Sequence, residues 1–164
     1  MKNKKVKGIF IAVLLVLLIA AAWIAVSVTV KNKELDMISS IYYWGNDGSM
    51  ALSNYSYSAV LEDDAVKITV MRKGSDEELT FKEDAAFLER LTEIANKYEI
   101  GSWDGFEKYD RNVMDGSSFS LSIYTESGQE IDARGYMKYP KNYGEAMEEI
   151  KCLFDEIYNG EYTK

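Results

Sequence analysis

The apolar residues of this chain follow three patterns, and each pattern predicts a different kind of structure. From Ile9 to Val30 they form a run without a charged residue, in which Ser27 and Thr29 are the only polar members. From about residue 37 onward they alternate with polar residues in several short stretches, which is typical of strands with one buried face. In two longer stretches they recur every three or four residues, which is typical of amphipathic helices. We therefore predict an N-terminal apolar helix followed by an α+β domain.

The alternating stretches predict a β-meander and a β-hairpin. The meander strands are predicted at residues 38–44, 55–61, 66–70 and 79–81. Turn sequences rich in Gly, Asp and Asn separate several of them. Farther along, the apolar residues of 119–123 alternate with serines, and a second alternating segment at 131–137 follows the Ser127-Gly128 turn. Two such segments joined by a short turn indicate a hairpin.

Two amphipathic helices are predicted, one after the meander and one at the end of the domain. The first begins at Asp84, a residue type that caps helices, and ends before Gly101, which we expect in the left-handed conformation. The second begins near Tyr143, shortly after Pro140. Their apolar positions are Phe87, Leu88, Leu91, Ile94, Ala95 and Tyr98 in the first helix and Ala146, Met147, Ile150, Leu153, Phe154 and Ile157 in the second.

Strands with one polar face need to be covered on one side only. The predicted fold is therefore a two-layer α+β domain, in which two amphipathic helices cover one face of an antiparallel sheet made of the meander and the hairpin. Residues 103–112 are expected to form a loop or a short strand.

The apolar run of residues 9–30 predicts a transmembrane helix. As an α-helix it would be about 33 Å long, against a hydrocarbon core of about 30 Å. Four lysines precede it, and basic residues next to a membrane helix stay in the cytoplasm. The predicted organisation is a cytoplasmic basic tail at 1–8, a transmembrane helix at 9–30, a tether at 31–36 and an extracytoplasmic domain at 37–164. The protein would be a single-pass protein of the cell membrane, held in the lipid bilayer by residues 9–30.

A cleaved signal peptide is the alternative to a membrane anchor. Ala20-Ala21-Ala22 and Ala25-Val26-Ser27 offer small residues at plausible cleavage positions, and cleavage would yield a secreted protein. However, this uncharged run of 22 residues is longer than the apolar region of a signal peptide, which typically has roughly 7–15 residues. This comparison favours the anchor.

The distribution of charge argues against nucleic-acid binding. Residues 1–36 contain six Lys and two acidic residues, whereas residues 37–164 contain 13 basic and 25 acidic residues, a net charge of −12. A domain of this charge is repelled by phosphate backbones and by anionic lipid surfaces. We predict no nucleic-acid partner.

The scarcity of reactive residues excludes several chemistries. The chain has no His, and Cys152 is its one cysteine. The usual zinc sites, the Ser-His-Asp and Cys-His nucleophile systems and an intramolecular disulfide are therefore excluded. Nucleotide-binding glycine motifs are also absent from the sequence. We predict no cofactor, no metal and no catalytic residue, and Cys152 is expected to be an idle thiol.

Acidic residues are the remaining candidates for chemistry. Asp104, Glu107, Asp110 and Asp115 fall in one segment, and two carboxylates at suitable spacing suffice for glycoside hydrolysis. Asp110-x-Asn112-x-x-Asp115 supplies oxygen ligands but lacks the spacing of a calcium loop, and Asn46-Asp47-Gly48 is typical of a turn.

Aromatic residues are abundant, and they provide the preferred candidate for a binding site. The chain contains 12 Tyr and three Trp. Tyr42, Tyr43 and Trp44 could line a groove for a sugar or an extended peptide, although strands also favour aromatic residues. The preferred ligand-binding or partner-binding surface is the segment 135–143, with the candidate residues Tyr136, Tyr139, Asn142 and Tyr143.

The order of several short motifs resembles a known group of bacterial domains. The motifs are Trp103-x-Gly105-Phe106, then Asp115-Gly116 before a strand, then Gly135-x-x-x-Tyr139-Pro140-x-Asn142-Tyr143 before the last helix. In this order the chain resembles an uncharacterised extracytoplasmic domain of Firmicutes membrane proteins and lipoproteins, over about residues 57–158. The resemblance implies an extracytoplasmic location and an α+β fold, and it implies no activity.

The function predicted from the sequence is therefore binding. The first hypothesis is a membrane-tethered extracytoplasmic domain that binds an envelope protein, a peptide or a wall-derived ligand through its open sheet face or through residues 136–143. The alternative is a carboxylate-dependent hydrolase that acts on envelope glycans. A structural subunit of a larger membrane complex is a third possibility.

Overall fold

The computed structural model describes residues 34–49 and 54–162, with side chains to residue 160. The predicted basic tail at 1–8 and the predicted transmembrane helix at 9–30 lie outside these residues, as do residues 31–33 of the predicted tether. Within the described part of the chain, no helix combines the length and the apolar character needed to cross a membrane.

The described chain forms seven strands, two α-helices and one short 3₁₀-helix. They are β1 (Ile38–Asn46), β2 (Asn54–Glu62), β3 (Ala65–Met71), β4 (Glu78–Glu83), α1 (Ala86–Lys97), a 3₁₀-helix (Ile100–Trp103), β5 (Phe106–Tyr109), β6 (Ser118–Thr125), β7 (Glu130–Tyr136) and α2 (Tyr143–Tyr162). The prediction of an α+β domain with two helices is confirmed.

All seven strands belong to one sheet, in the order β4-β3-β2-β1-β6-β7-β5. The first four strands form the predicted meander, and β6 and β7 form the predicted hairpin. The hairpin joins the meander through β1, which pairs with β2 on one side and with β6 on the other.

The prediction of a purely antiparallel sheet is wrong at one edge. Residues 106–109 form β5, which pairs with β7 in parallel, so the sheet is mixed. The entire hairpin strand β6 lies between β5 and β7 in the chain, and this long connection allows the parallel arrangement. A strand of four residues is too short for its alternation to predict either its existence or its partner.

The hydrophobic core lies between one face of the sheet and the two helices. Phe87, Leu88 and Leu91 of α1 are buried, as are Ile150, Leu153 and Phe154 of α2. The sheet contributes alternate residues of its strands to the same core. The buried sheet residues are Ile38, Ile41, Tyr43, Tyr57, Ala59, Val66, Ile68, Val70, Phe81, Phe119, Leu121, Ile123, Ile131 and Ala133. Burial of each large apolar side chain stabilises the fold by about 1.5–3 kcal/mol.

The ends of α1 lie close to the predicted positions but differ from them in detail. At the N-terminus Ala85 occupies the N-cap position, one residue after the predicted Asp84, whose carboxylate accepts the Ala86 N–H at 2.9 Å. At the C-terminus the left-handed residue is Glu99, with φ 55°, whereas Gly101 is buried in the 3₁₀-helix. The prediction for Gly101 is therefore wrong, because the chain turns two residues earlier, before the 3₁₀-helix brings Ile100 and Trp103 into the core.

The core of the domain includes a residue of the predicted tether. Leu35 is 3% exposed, its N–H donates to Asn96 Oδ1 at 2.7 Å, and its carbonyl oxygen accepts from Asn96 Nδ2 at 2.9 Å. The folded domain thus includes the chain from Leu35 onward.

Candidate functional site

The two faces of the sheet differ in what covers them. Both helices lie on the face that carries Ile41, Leu121 and the other core residues, and none of the described helices covers the opposite face. We call this uncovered surface the open face. It contains the alternate, non-core residues of the strands.

The centre of the open face has a regular arrangement of aromatic and hydroxyl side chains. On β1, Tyr42 pairs with Ser58 of β2 and with Ser122 of β6, and Trp44 pairs with Ser56 and Ser120. Because paired residues on neighbouring strands project to the same side, each ring lies between two serines. We call these residues the serine–aromatic strip: Tyr42, Trp44, Ser56, Ser58, Ser120 and Ser122.

The aromatic rings of the strip are accessible. Tyr42 is 47% exposed and Trp44 is 40% exposed, whereas Tyr43, which lies between them in the sequence, is 3% exposed on the covered face. Tyr124 of β6 extends the aromatic surface, because its ring meets that of Tyr42 edge to face with centroids 6.4 Å apart. Of the three aromatic residues of β1 that could have lined one groove, Tyr42 and Trp44 therefore lie on the open face and Tyr43 lies in the core.

The first of the four predicted site residues, Tyr136, lies on the open side and supports a loop. Its hydroxyl accepts the Gly116 N–H at 2.8 Å and donates to the Val113 carbonyl at 3.1 Å. Both donor and acceptor functions of the phenol are thus used within the protein. Tyr136 has a structural role in holding residues 113–116 against the sheet.

The other three predicted site residues lie around the start of α2. Asn142 has φ 62° and its carbonyl accepts the Ala146 N–H at 3.0 Å, so it begins the helix. The Tyr139 and Tyr143 rings stack with centroids 4.7 Å apart. Tyr139 is 40% exposed, and its hydroxyl contacts the Ser117 hydroxyl.

Tyr143 points toward the core, and it ends a chain of hydroxyl groups. Its oxygen lies 2.8 Å from that of Tyr43, which in turn lies 3.3 Å from that of Tyr55. Burial is the largest cause that raises the pKa values of Tyr43 and Tyr143 above the ordinary value of 10.0. Both phenols are therefore protonated at neutral pH.

The structure brings Tyr139 and Tyr143 together and directs Tyr136 to the other side of the sheet. The four predicted residues therefore do not line one groove, because Tyr136 supports a loop and Tyr143 faces the core. Among them, Tyr139 offers the most exposed ring.

Two of the four predicted carboxylates accept backbone hydrogen bonds. Asp104 accepts the Asp132 N–H at 3.2 Å, and Asp110 accepts the Asn112 N–H at 3.1 Å and pairs with Lys138 at 3.1 Å. These interactions, with the backbone bond first, lower the pKa of Asp110. An acid catalyst needs a raised carboxyl pKa, whereas the pKa values of Asp47, Asp110 and Glu149 are lowered.

The predicted turn at Asn46-Asp47-Gly48 is stabilised by local hydrogen bonds. Asn46 Oδ1 accepts the Gly48 N–H at 2.7 Å, and Asp47 Oδ1 accepts the Ser49 N–H at 3.0 Å. Across residues 34–49 and 54–162, no group of three or more acidic or sulfur side chains is arranged to hold a metal ion. Cys152 is exposed as a free thiol.

Only part of the serine–aromatic strip could be predicted from the sequence. The alternation of serines with apolar residues in β2 and β6 indicated their outward direction. The juxtaposition of these serines with Tyr42 and Trp44 depends on the order of the strands, which local patterns do not encode. A comparison of the sequence with protein-family models finds no match, and a comparison with curated proteins finds no significant match.

Proposed function

We propose that this protein is a membrane-tethered extracytoplasmic binding domain and that its open face contacts a neutral glycan of the bacterial envelope. The observation that carries the proposal is the serine–aromatic strip, in which two accessible rings lie between two rows of serine hydroxyls.

The chemistry of the strip fits a sugar chain. An aromatic ring offers a flat apolar surface on which the C–H face of a pyranose packs, and serine hydroxyls both donate and accept hydrogen bonds. The six residues of the strip are uncharged, although 28% of the chain is charged. A neutral ligand rich in hydroxyl groups matches this surface better than a charged ligand does.

The same composition favours a glycan over a protein partner. Protein–protein interfaces are enriched in aromatic residues, Met and Arg, and they are depleted in Ser. The strip contains aromatic residues, as such interfaces do, but four of its six residues are serines. A protein partner remains one of the outcomes that the binding test distinguishes.

The proposed location rests on the N-terminal sequence. A membrane helix at 9–30 with lysines before it would place the domain outside the membrane, close to envelope glycans. The resemblance to Firmicutes extracytoplasmic domains supports the same location. Leu35 already belongs to the core of the domain, so the proposed tether between membrane and domain is short.

Co-sedimentation with protein-free bacterial cell-wall sacculi tests the proposal. The full chain in mild detergent should sediment with the sacculi, and the double variant Tyr42→Ser/Trp44→Ser should lose most of this binding, by about tenfold or more. Each substitution removes an aromatic surface whose contacts are worth about 1 kcal/mol or more.

The control is Tyr109→Ser. Tyr109 is 55% exposed and lies on the edge strand β5, outside the strip. This variant should sediment like the unmodified chain. The proposal is refuted if the double variant binds the sacculi as well as the unmodified chain does. It is also refuted if the unmodified chain binds only to sacculi that still carry wall-attached protein.

The alternative of a glycan hydrolase stays a prediction. It requires that the same sacculi release soluble sugar when incubated with the chain, and that Asp104→Asn or Glu107→Gln abolish the release. No arrangement of the predicted carboxylates favours this alternative over binding.

A further inference from the structure

A cleft lies on the opposite side of the sheet from the serine–aromatic strip. It has a volume of about 400 Å³ and is formed by β2, by the residues that directly follow β1 and β3, and by helix α2. Volumes of about 300–1,000 Å³ are typical of small-molecule sites. The residues that line it are Asp47, Tyr55, Tyr57, Arg72, Lys73, Lys151 and Asp155.

The Tyr57 hydroxyl opens into this cleft, where a ligand can reach it. Tyr57 is 3% exposed, and its hydroxyl makes no hydrogen bond with the described residues. Its pKa is raised to about 12, by burial first and then by the charge of Asp155, so it is protonated at neutral pH. The hydroxyl is therefore a donor that a ligand in the cleft can use.

Arg72 is held in a fixed orientation at the same cleft. One of its nitrogens, Nη2, lies 2.8 Å from Asp155 Oδ1, and its guanidinium carbon lies 3.4 Å from the centroid of the Tyr158 ring. The guanidinium has five N–H donors, so the ion pair leaves others for a ligand. Because the group is already ordered, binding to it costs little side-chain entropy.

Two lysines complete a cluster of positive charge. Lys73 pairs with Asp47 at the edge of the cleft, whereas Lys151 of α2 forms no ion pair with the described residues. Three cations and two anions therefore line the cleft, in a domain whose net charge is −12. An anionic ligand would supply the missing negative charge and an acceptor for the Tyr57 hydroxyl.

We propose that this cleft binds a small organic anion, whose carboxylate or phosphate contacts Tyr57, Arg72 and Lys151 and whose body packs against Tyr55. The volume of the cleft exceeds that of the anionic group alone, so the ligand carries a body of about monosaccharide size. The site is separate from the open face and does not depend on the glycan proposed there.

Isothermal titration calorimetry of the full chain in mild detergent tests this site with three probes. Glucose 6-phosphate and glucuronate carry a phosphate and a carboxylate on similar rings, and glucose is the neutral control. At least one of the two anions should bind, and glucose should not. The affinity should fall as salt is added, because the attraction between partly exposed charges is screened.

Substitutions of the lining residues test whether the anion binds in this cleft. Lys151→Gln and Tyr57→Phe should each weaken the affinity for the anion by about tenfold or more, because each removes a hydrogen bond to a charged group. Lys67→Gln is the matched control, since Lys67 pairs with Glu62 elsewhere and should leave the affinity unchanged. If both Lys151→Gln and Tyr57→Phe bind the anion as tightly as the unmodified chain does, the assignment to this cleft is wrong.

The pattern across the probes decides the class of ligand. Binding of one anion and not the other identifies the phosphate or the carboxylate as the preferred group. Absence of binding by both anions at millimolar concentration, or equal binding of glucose, would overturn the proposal. Either result leaves the glycan hypothesis for the open face unaffected.

Discussion

The hydroxyl oxygens of Tyr43 and Tyr143 lie 2.8 Å apart and join the central strand to the start of the last helix, 100 residues later in the chain. Tyr43 lies on β1, which pairs with both the meander and the hairpin, so this contact fixes α2 to the middle of the sheet. Around it, the Tyr143 ring packs against Trp103, Phe119 and Tyr139. This end of the core is held by aromatic packing and by a buried hydrogen bond.

Removal of the Tyr143 hydroxyl should destabilise the domain. Tyr143→Phe keeps the ring stacking but leaves the Tyr43 hydroxyl with one weaker partner, so we expect a loss of about 1 kcal/mol in the free energy of unfolding. Urea denaturation followed by Trp fluorescence measures it. Tyr139→Phe is the control, because it removes a hydroxyl from an exposed side chain and should cost less than about 0.5 kcal/mol. Equal effects of the two variants would contradict the central role of the Tyr43–Tyr143 contact.

Two glycines near the C-terminal helix should respond oppositely to alanine. A Cβ at Gly135 would collide with the Lys138 carbonyl oxygen and lie 2.5 Å from Phe119 Cε1, so Gly135→Ala should cost about 1–3 kcal/mol. At Gly144, in the first turn of α2, no atom lies within 4 Å of the added carbon.

The second variant is the matched control. Gly144→Ala should be neutral or stabilise by up to about 1 kcal/mol, because alanine favours the helix and restricts the unfolded chain. Thermal denaturation of both variants measures the difference. A Gly135→Ala variant as stable as Gly144→Ala would show that the backbone near Lys138 yields without strain.

The contact between the helices should make stability depend on pH. Glu149 accepts hydrogen bonds from Lys97 at 2.6 Å and from Tyr98 at 2.7 Å, and these lower its pKa, Lys97 first. Because the pKa of Glu149 is lower in the folded state than in the unfolded state, the ionised carboxylate stabilises the fold. This stabilisation is fully present above the unfolded-state pKa of 4.5 and is lost as the pH falls through the folded-state pKa. The stability difference between the unmodified chain and Glu149→Gln should therefore be greatest near neutral pH and shrink as the pH falls below 4.5.

Denaturation midpoints of both proteins across that range give the measurement. A difference that stays constant, or grows as the pH falls, would contradict the assignment of this carboxylate as the acceptor between α1 and α2.

The exposed thiol provides a direct test of topology. Cys152 is the one cysteine of the chain and is exposed on α2. On intact cells, a membrane-impermeant maleimide should label it, because the domain is proposed to lie outside. The control is Cys152→Ser/Lys4→Cys, which moves the thiol into the proposed cytoplasmic tail and should be labelled only after lysis. Labelling of Cys152 only after lysis would refute the proposed orientation.

Local sequence patterns predicted the strands and helices well because each has a clear period. The alternation at Phe119, Leu121 and Ile123 and the helical spacing of Leu88, Leu91 and Ala95 both reflect one buried face, and the structure has those faces. Asp84 and the start of α2 at Tyr143 were predictable because helix caps and prolines act within a few residues.

The features that were not predictable depend on contacts between distant residues. The position of β1 between β2 and β6 and the parallel strand β5 are properties of sheet order. The direction of Tyr136 away from Tyr143 follows from its position in β7, since Gly135 and Tyr136 face opposite sides. The serine–aromatic strip arises only when three strands are placed side by side.

NMR titration of the full chain with the tetramer of N-acetylglucosamine, a neutral glycan, tests the proposed binding surface most directly. If the open face is that surface, amide shifts should concentrate on the strand residues around Tyr42, Trp44 and Ser120 and disappear in Tyr42→Ser/Trp44→Ser. The absence of shifts, or shifts confined to residues 139–143 or to the cleft beside Tyr57, would contradict it.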